Sequence, residues 1–357
     1  MKSIINTSTE DTRSQPMFFG PHGLGVQRYD HPKYEKIFNM FKQQLAYMWR
    51  PEEINLSKDK MDFNSLPEFQ QVVFTLNLKY QILLDTIQSR GISHLLENCT
   101  NPEVEAFAKA WEFMETLHSY SYTYIIKQIY TNPSEVLDTV LTDQRILDRA
   151  MSVTKYYDEL INAIPDDTIH NQKKKLYLTL VSINILEGIR FYVSFACSFA
   201  FAQNKKMEGN AKIISLIARD ENLHMGFSSL ILKIMAEDAS EGFHEVVAEC
   251  KDITAQMYRD AAQEEMDWAR YLFKDGSMIG LNAEILIQYM KYLTNQRMKI
   301  IKMEPIFEKV ANPIGWIGNW IGGNAVQEAP QQTQIISYTT GAFKQDTDDM
   351  IFDDFNI

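Results

Sequence analysis

Acidic side chains set in the middle of apolar helical patterns are the tightest constraint on this chain. Asp85 interrupts NLKYQILLDTIQ, and Glu187 interrupts SINILEGIRFYVSF. Glu115 and Glu221 sit in similarly apolar surroundings. A carboxylate almost never enters a core unpaired, so the fold must bring each of these four a partner. Two are followed three residues later by histidine, as Glu115/His118 and Glu221/His224. On a helix, positions i and i+3 share a face, so both side chains can reach one point. A third such pair, Glu241/His244, lies in AEDASEGFHEVVAEC among charges and beside Gly242. It reads as a solvated helix start that matches the spacing by chance.

The spacing of the other residues carries more information. Asp85 and Glu115 are equidistant from the turn-like ENCTNP, and Glu187 and Glu221 from the polar QNKKMEGN. In an antiparallel helix pair, residues equidistant from the turn stand at one height, here up to about 25 Å from it. Each hairpin therefore presents one lone carboxylate and one Glu-x-x-His pair at mid-depth. Two such hairpins face to face supply four carboxylates and two imidazoles, the ligand set of di-iron and di-manganese carboxylate bundles. Taken singly, each residue is more simply a salt-bridged core acid or a core histidine. Matched depth across six positions favours a metal centre, and oxygen plus imidazole donors suit iron or manganese.

The remainder of the sequence agrees with an all-α chain. Only 15 Gly and 11 Pro occur in 357 residues, which suits long helices with few breaks. Helical patterns run over about 34–48, 67–91, 102–130, 134–162, 172–204, 209–237, 241–273 and 281–299. The expected organisation is an irregular arm over 1–33, a ferritin-like helical domain over 34–325 and a flexible acidic C-terminal tail over 326–357. Residues 176–202 are long and apolar enough to span a bilayer, but Glu187 and Arg190 at their centre argue for a buried core helix instead. The three cysteines show no C-x-x-C pairing and the N-terminus has no apolar signal core, so a reducing cytoplasm is expected. A net charge of −12 disfavours nucleic acid as a partner.

At these residues the sequence resembles the small, radical-generating subunit of class I ribonucleotide reductase, most like the Ia type. The resemblance spans nearly the whole chain. It rests on PMFFG, WRPEE, LKYQILLDTIQSR, ETLHSYSYT, LEGIRFYVSFACSFAFA, MEGNAKIISLIARDENLH, DWARYLF and DGSMIGLN. It implies Asp85, Glu115 and His118 as ligands of one iron and Glu187, Glu221 and His224 as ligands of the other, with Glu115 and Glu221 bridging. It implies two oxo-bridged iron ions per chain, with manganese as the alternative, and O2 as the activating oxidant. Tyr122 would carry the radical, inside an apolar pocket formed by Phe191, Phe195 and Ile217. Taken without the family, these residues are ordinary core.

The resemblance further implies that the radical leaves through His118, Asp220 and Trp49, and crosses to a separate large subunit through Tyr338. The large subunit would dock on residues 339–357, where Phe343, Phe352 and Phe355 stand among aspartates. A homodimer is a family expectation. The chain departs from its relatives at Tyr120, where they can carry Arg, and at Gln332, where close ones carry Glu. Two other readings stand beside this one. A di-iron monooxygenase or desaturase on the same scaffold would need a substrate cavity and would have no use for Trp49 or Tyr338. A ferritin-like iron-binding protein would have no use for the tail. The acidity also divides by place, since residues 331–357 hold five acids and one base, and four further acids are proposed ligands.

Overall fold

The computed structural model describes residues 5–7, 14–162 and 167–321. These fold as α1 (Glu35–Ala46), α2 (Ser57–Ser65), α3 (Glu68–Leu95), α4 (Pro102–Ile129), α5 (Pro133–Leu137), α6 (Gln144–Ile161), α7 (Ile169–Ile185), α8 (Tyr192–Gln203), α9 (Glu208–Glu237), α10 (His244–Glu249), α11 (Lys251–Leu272), α12 (Ala283–Ile300) and α13 (Gly318–Ile321). Among the described residues there is no strand, only two isolated bridges, Phe18 to Cys99 and Met278 to Leu281.

Four long helical segments build the centre. α3 packs along α4, α7 and α8 pack on α9, and α4 meets α9 across the middle. The turn between α3 and α4 closes where expected, because Asn101 accepts hydrogen bonds from the Glu103 and Val104 amides at 3.0 and 3.1 Å and Pro102 opens the helix. The second hairpin is closed by α2, a helix absent from the sequence expectations. Asp59 accepts from the amides of Gly209 and Asn210 at 3.1 and 2.6 Å, and Asp62 accepts from Met207 at 3.1 Å. These acids satisfy free amides at the positive end of α9. Gly209 is required there, since a Cβ would lie 2.7 Å from Leu56 Cδ2.

Two long expected helices are broken. The 134–162 pattern divides into α5, a 3-10 turn and α6, because Asp143 accepts from Arg145 and Ile146 and starts a new helix. The 241–273 pattern divides into α10 and α11 at Cys250. The apolar stretch between α7 and α8 runs as one helix with a five-residue π-turn, Leu186–Arg190, at its centre. Segment Ile169–Gln203 is long and apolar enough for a bilayer, yet its apolar window lies wholly inside the protein. Arg190 there reaches Glu264 and Ser152, each at 2.8 Å.

Candidate metal centre

Six side chains predicted as ligands arrive from four segments: Asp85 from α3, Glu115 and His118 from α4, Glu187 from the π-turn, and Glu221 and His224 from α9. All six are fully buried. Their donor atoms form two groups, each within a 4.8 Å span: Asp85, Glu115, His118 and Glu221, and Glu115, Glu187, Glu221 and His224. Glu115 and Glu221 belong to both. Both imidazoles turn Nδ1 inward. His118 Nδ1 lies 3.0 Å from Glu221 and 3.5 Å from Glu115. His224 Nδ1 lies 2.9 Å from Glu221, 3.0 Å from Glu115 and 3.9 Å from Glu187.

The electrostatics are those of carboxylates crowded together in a buried site. Burial, and then repulsion from Glu115, raises Asp85 well above the usual carboxylate range. Burial and Glu221 do the same to Glu187, and burial and Glu115 push Glu221 to about 8. Burial opposes charge on Glu115 too, but the adjacent imidazoles of His118 and His224 outweigh it and hold Glu115 at about 2. Both oxygens of Asp85, one oxygen each of Glu115, Glu187 and Glu221, and His118 Nδ1 complete no hydrogen bond. Buried acceptors without donors are rare, and here they converge on one volume, so the donor set fits two divalent or trivalent cations. Oxygen and imidazole donors suit iron or manganese better than a thiolate-seeking metal.

The outward nitrogens are held by residues of two kinds. His118 Nε2 lies 3.2 Å from Asp220 Oδ2, which also accepts from Trp49 Nε1 at 2.8 Å. His224 Nε2 lies 2.9 Å from Gln44 Oε1 on α1. Trp111 donates to Glu115 Oε1 at 2.8 Å. Gln88 donates its amide to Glu187 and accepts from the Tyr157 hydroxyl. Gln44, Trp111, Gln88 and Tyr157 were not anticipated from sequence. Gln88 and Trp111 carried a signal, standing one turn from Asp85 on α3 and from Glu115 on α4, on the same faces.

Tyr122 is fully buried one turn after His118, and its hydroxyl completes no hydrogen bond. Burial and the nearby Asp85 raise the phenol well above its ordinary value, so it stays protonated. Phe191, Phe195 and Ile217 are fully buried, and the two rings stack at 5.6 Å. Tyr338, Gln332, Phe343, Phe352 and Phe355 lie outside the described residues.

The third Glu-x-x-His pair corrects one expectation and keeps another. Glu241 is not solvated. It is buried, and it accepts from the Met17 amide at 2.8 Å, from Lys33 at 3.2 Å and from the Tyr34 hydroxyl. It ties the N-terminal arm to the bundle, which its charged sequence neighbours conceal. His244 is exposed, and neither residue joins the two ligand groups.

Comparison with known proteins gives a consistent answer. Residues 28–313 match the family described as ribonucleotide reductase, small chain. The chain is 45% identical over 369 residues to ribonucleoside-diphosphate reductase 1 subunit beta of Escherichia coli O157:H7, covering 98% of each. It is 44% identical over 374 residues to ribonucleoside-diphosphate reductase subunit beta of Buchnera aphidicola, covering 99% of each. Among solved structures, the ribonucleotide reductase R2 subunit from Clostridium botulinum superposes with a TM-score of 0.81 at 26% identity, over 90% of this chain and 98% of that one. Fold, buried carboxylate–histidine cluster and full-length similarity agree, and the chain belongs to the ribonucleotide reductase small-chain family.

Proposed function

We propose that this chain is the subunit that generates and stores a radical on Tyr122 for a large subunit that reduces ribonucleotides to deoxyribonucleotides. The observation that carries the reading is the pair of overlapping ligand groups sharing Glu115 and Glu221 beside a buried, protonated Tyr122. Asp85, Glu115 and His118 would hold one ion, and Glu187, Glu221 and His224 the other, with iron as the proposed metal and manganese as the alternative. Bound there, the two ions supply the redox chemistry that uses O2 to take one electron from Tyr122.

The chain's own residues set the conditions for that. The buried phenol keeps its proton until oxidation, because burial disfavours the phenolate. Phe191, Phe195 and Ile217 keep water and reductants from the radical. Asp220 orients His118 and accepts from Trp49, so one carboxylate links the site to an indole on the route outward. The tail beyond residue 325, with Tyr338, is the proposed exit and docking segment for the large subunit. The proposed division is an arm over 1–33 and a helical domain over 34–325, of which residues 5–7, 14–162 and 167–321 are described.

A homodimer is part of this proposal. An apolar surface between α1 and α4 leaves Leu45, Met48 and Phe113 more than half exposed, around a cavity of about 450 Å³. Among the described residues Lys109 is the one charged residue lining it, so a second copy of the same face would suit it. We place the protein in the cytoplasm, in keeping with three buried, unpaired cysteines.

The deciding experiment loads the metal-free protein with Fe(II), admits O2 and records optical and EPR spectra, with Tyr122→Phe as control. A tyrosyl signal in the parent alone supports the reading. Two bound irons without that signal would overturn it in favour of an oxygenase. Removing residues 338–357 should leave the radical intact and abolish turnover with the large subunit.

A further inference from the structure

Glu187 differs from the other proposed ligands in standing on a π-turn. Such a turn inserts one residue into a helix, so a carbonyl in it loses its usual amide partner. A buried carbonyl left that way needs another donor. Here one carbonyl of the turn has a side-chain donor from α12. Arg297 Nε donates to the Gly188 carbonyl at 3.2 Å. The same guanidinium donates through Nη2 to the Tyr192 hydroxyl at 2.8 Å, and that hydroxyl donates to Asn222 Oδ1 at 2.8 Å. Asn222 directly follows Glu221, so the chain of bonds runs from the backbone at one ligand to the helix that carries another.

Two further features make this arrangement specific. Arg297 is 1% exposed; among the described residues its guanidinium forms no ion pair and lies 5.2 Å from the centre of the Tyr192 ring. A buried charge without a counter-ion is expensive, so its position calls for a role beyond packing. Gly188 also packs directly against the same side chain. A Cβ there would lie 3.4 Å from Arg297 Cγ and Cδ and 3.2 Å from Met225 Cγ. The arginine stem thus lies against the π-turn while its head holds the carbonyl beside Glu187.

We infer that Arg297 is a positioning residue for Glu187: its guanidinium pins the π-turn at the Gly188 carbonyl and so sets where the Glu187 carboxylate points. The inference rests on the metal-centre reading. It predicts an asymmetric effect, because only the group of Glu115, Glu187, Glu221 and His224 contains Glu187.

The test is Arg297→Lys, which keeps the charge and stem but cannot serve both acceptors with a rigid fork. Mn(II) is titrated into the metal-free protein and free Mn(II) is followed by EPR. Hydrogen exchange of the amides at 187–192 is measured in the absence of metal. The parent should bind two ions per chain. The variant should bind one ion as the parent does and the other at least about tenfold more weakly, with exchange at 187–192 faster by a similar factor. A folded variant with both affinities unchanged, with both weakened equally, or with unchanged exchange overturns the inference. A parent that fails to bind two ions instead overturns the metal-centre reading. If Arg297→Lys does not fold, Tyr192→Phe decides by the same readouts, with a smaller asymmetric loss expected and no asymmetry overturning the inference.

Discussion

Trp49 and His118 meet at a single oxygen atom: Asp220 Oδ2 accepts the indole N–H at 2.8 Å and lies 3.2 Å from His118 Nε2. The two rings lie 6.2 Å apart and 24° from parallel. The three residues come from the loop after α1, from α4 and from α9, so only the assembled bundle creates the contact. Trp49→Phe keeps the ring and removes the donor. It should leave two metal ions bound per chain while turnover with the large subunit falls on the order of 100-fold or more. Metal analysis beside the turnover assay checks this, and lost metal would show Trp49 to be structural instead.

Histidine substitution separates ligand from coincidence. His118→Ala should cost at least one of the two ions, because it removes a proposed ligand and strands Glu115 and Glu221. His244→Ala should leave metal content unchanged, since His244 is exposed and outside both groups. Elemental analysis of the two purified variants reads the difference directly.

Acid should favour the metal-free protein. Asp85, Glu187 and Glu221 are all raised by burial and neighbouring carboxylates, Glu221 to about 8. A carboxyl raised on folding binds more protons folded than unfolded, so its contribution to stability is present at low pH and lost as pH rises through the folded value. Glu115, held at about 2, works in the opposite sense, but only as pH falls below the ordinary 4.5. The melting temperature of the metal-free chain should therefore fall between about pH 5 and pH 8. Bound cations take the deprotonated carboxylates, so the loaded protein should show a flatter profile. Melting curves of both forms across that range test the sign.

Tyr157→Phe should loosen the core without touching a proposed ligand. The tyrosine hydroxyl donates to Gln88, and Gln88 donates to Glu187. Losing the hydroxyl leaves a buried amide oxygen without its donor, at a cost of about 1–3 kcal/mol. Urea unfolding of the metal-free variant measures it, and a midpoint equal to that of the parent would show that Gln88 finds another donor.

Gly209→Ala should disturb the start of α9. A Cβ there meets Leu56, Asp59 and the Asn55 carbonyl at 2.7 to 2.9 Å. Displacing α2 would also free the amides that Asp59 holds, so a loss of about 1–3 kcal/mol is expected. Thermal unfolding checks it, and an unchanged melting temperature would show that α2 can shift freely.

What the sequence determined by itself is local. Helical periodicity, few turn-formers and the Glu-x-x-His spacing are set within a few turns of one helix, so long helices and the six clustered carboxylate and histidine positions were legible. The equal distances of Asp85 and Glu115, and of Glu187 and Glu221, from their turns extended that to hairpin register. Only the tertiary structure decided which groups complete the site. Gln44, Tyr157 and Arg297 approach from other elements, and nothing in their own neighbourhoods marks them. The π-turn at Glu187 is of this kind too: its carbonyl finds a donor 109 residues away, so its stability depends on α12 packing against it. Glu241 shows the same limit in reverse, for its charged neighbours read as surface until Met17, Lys33 and Tyr34 fold over it. Burial of a charge is a property of distant contacts, and a single stretch of sequence cannot state it.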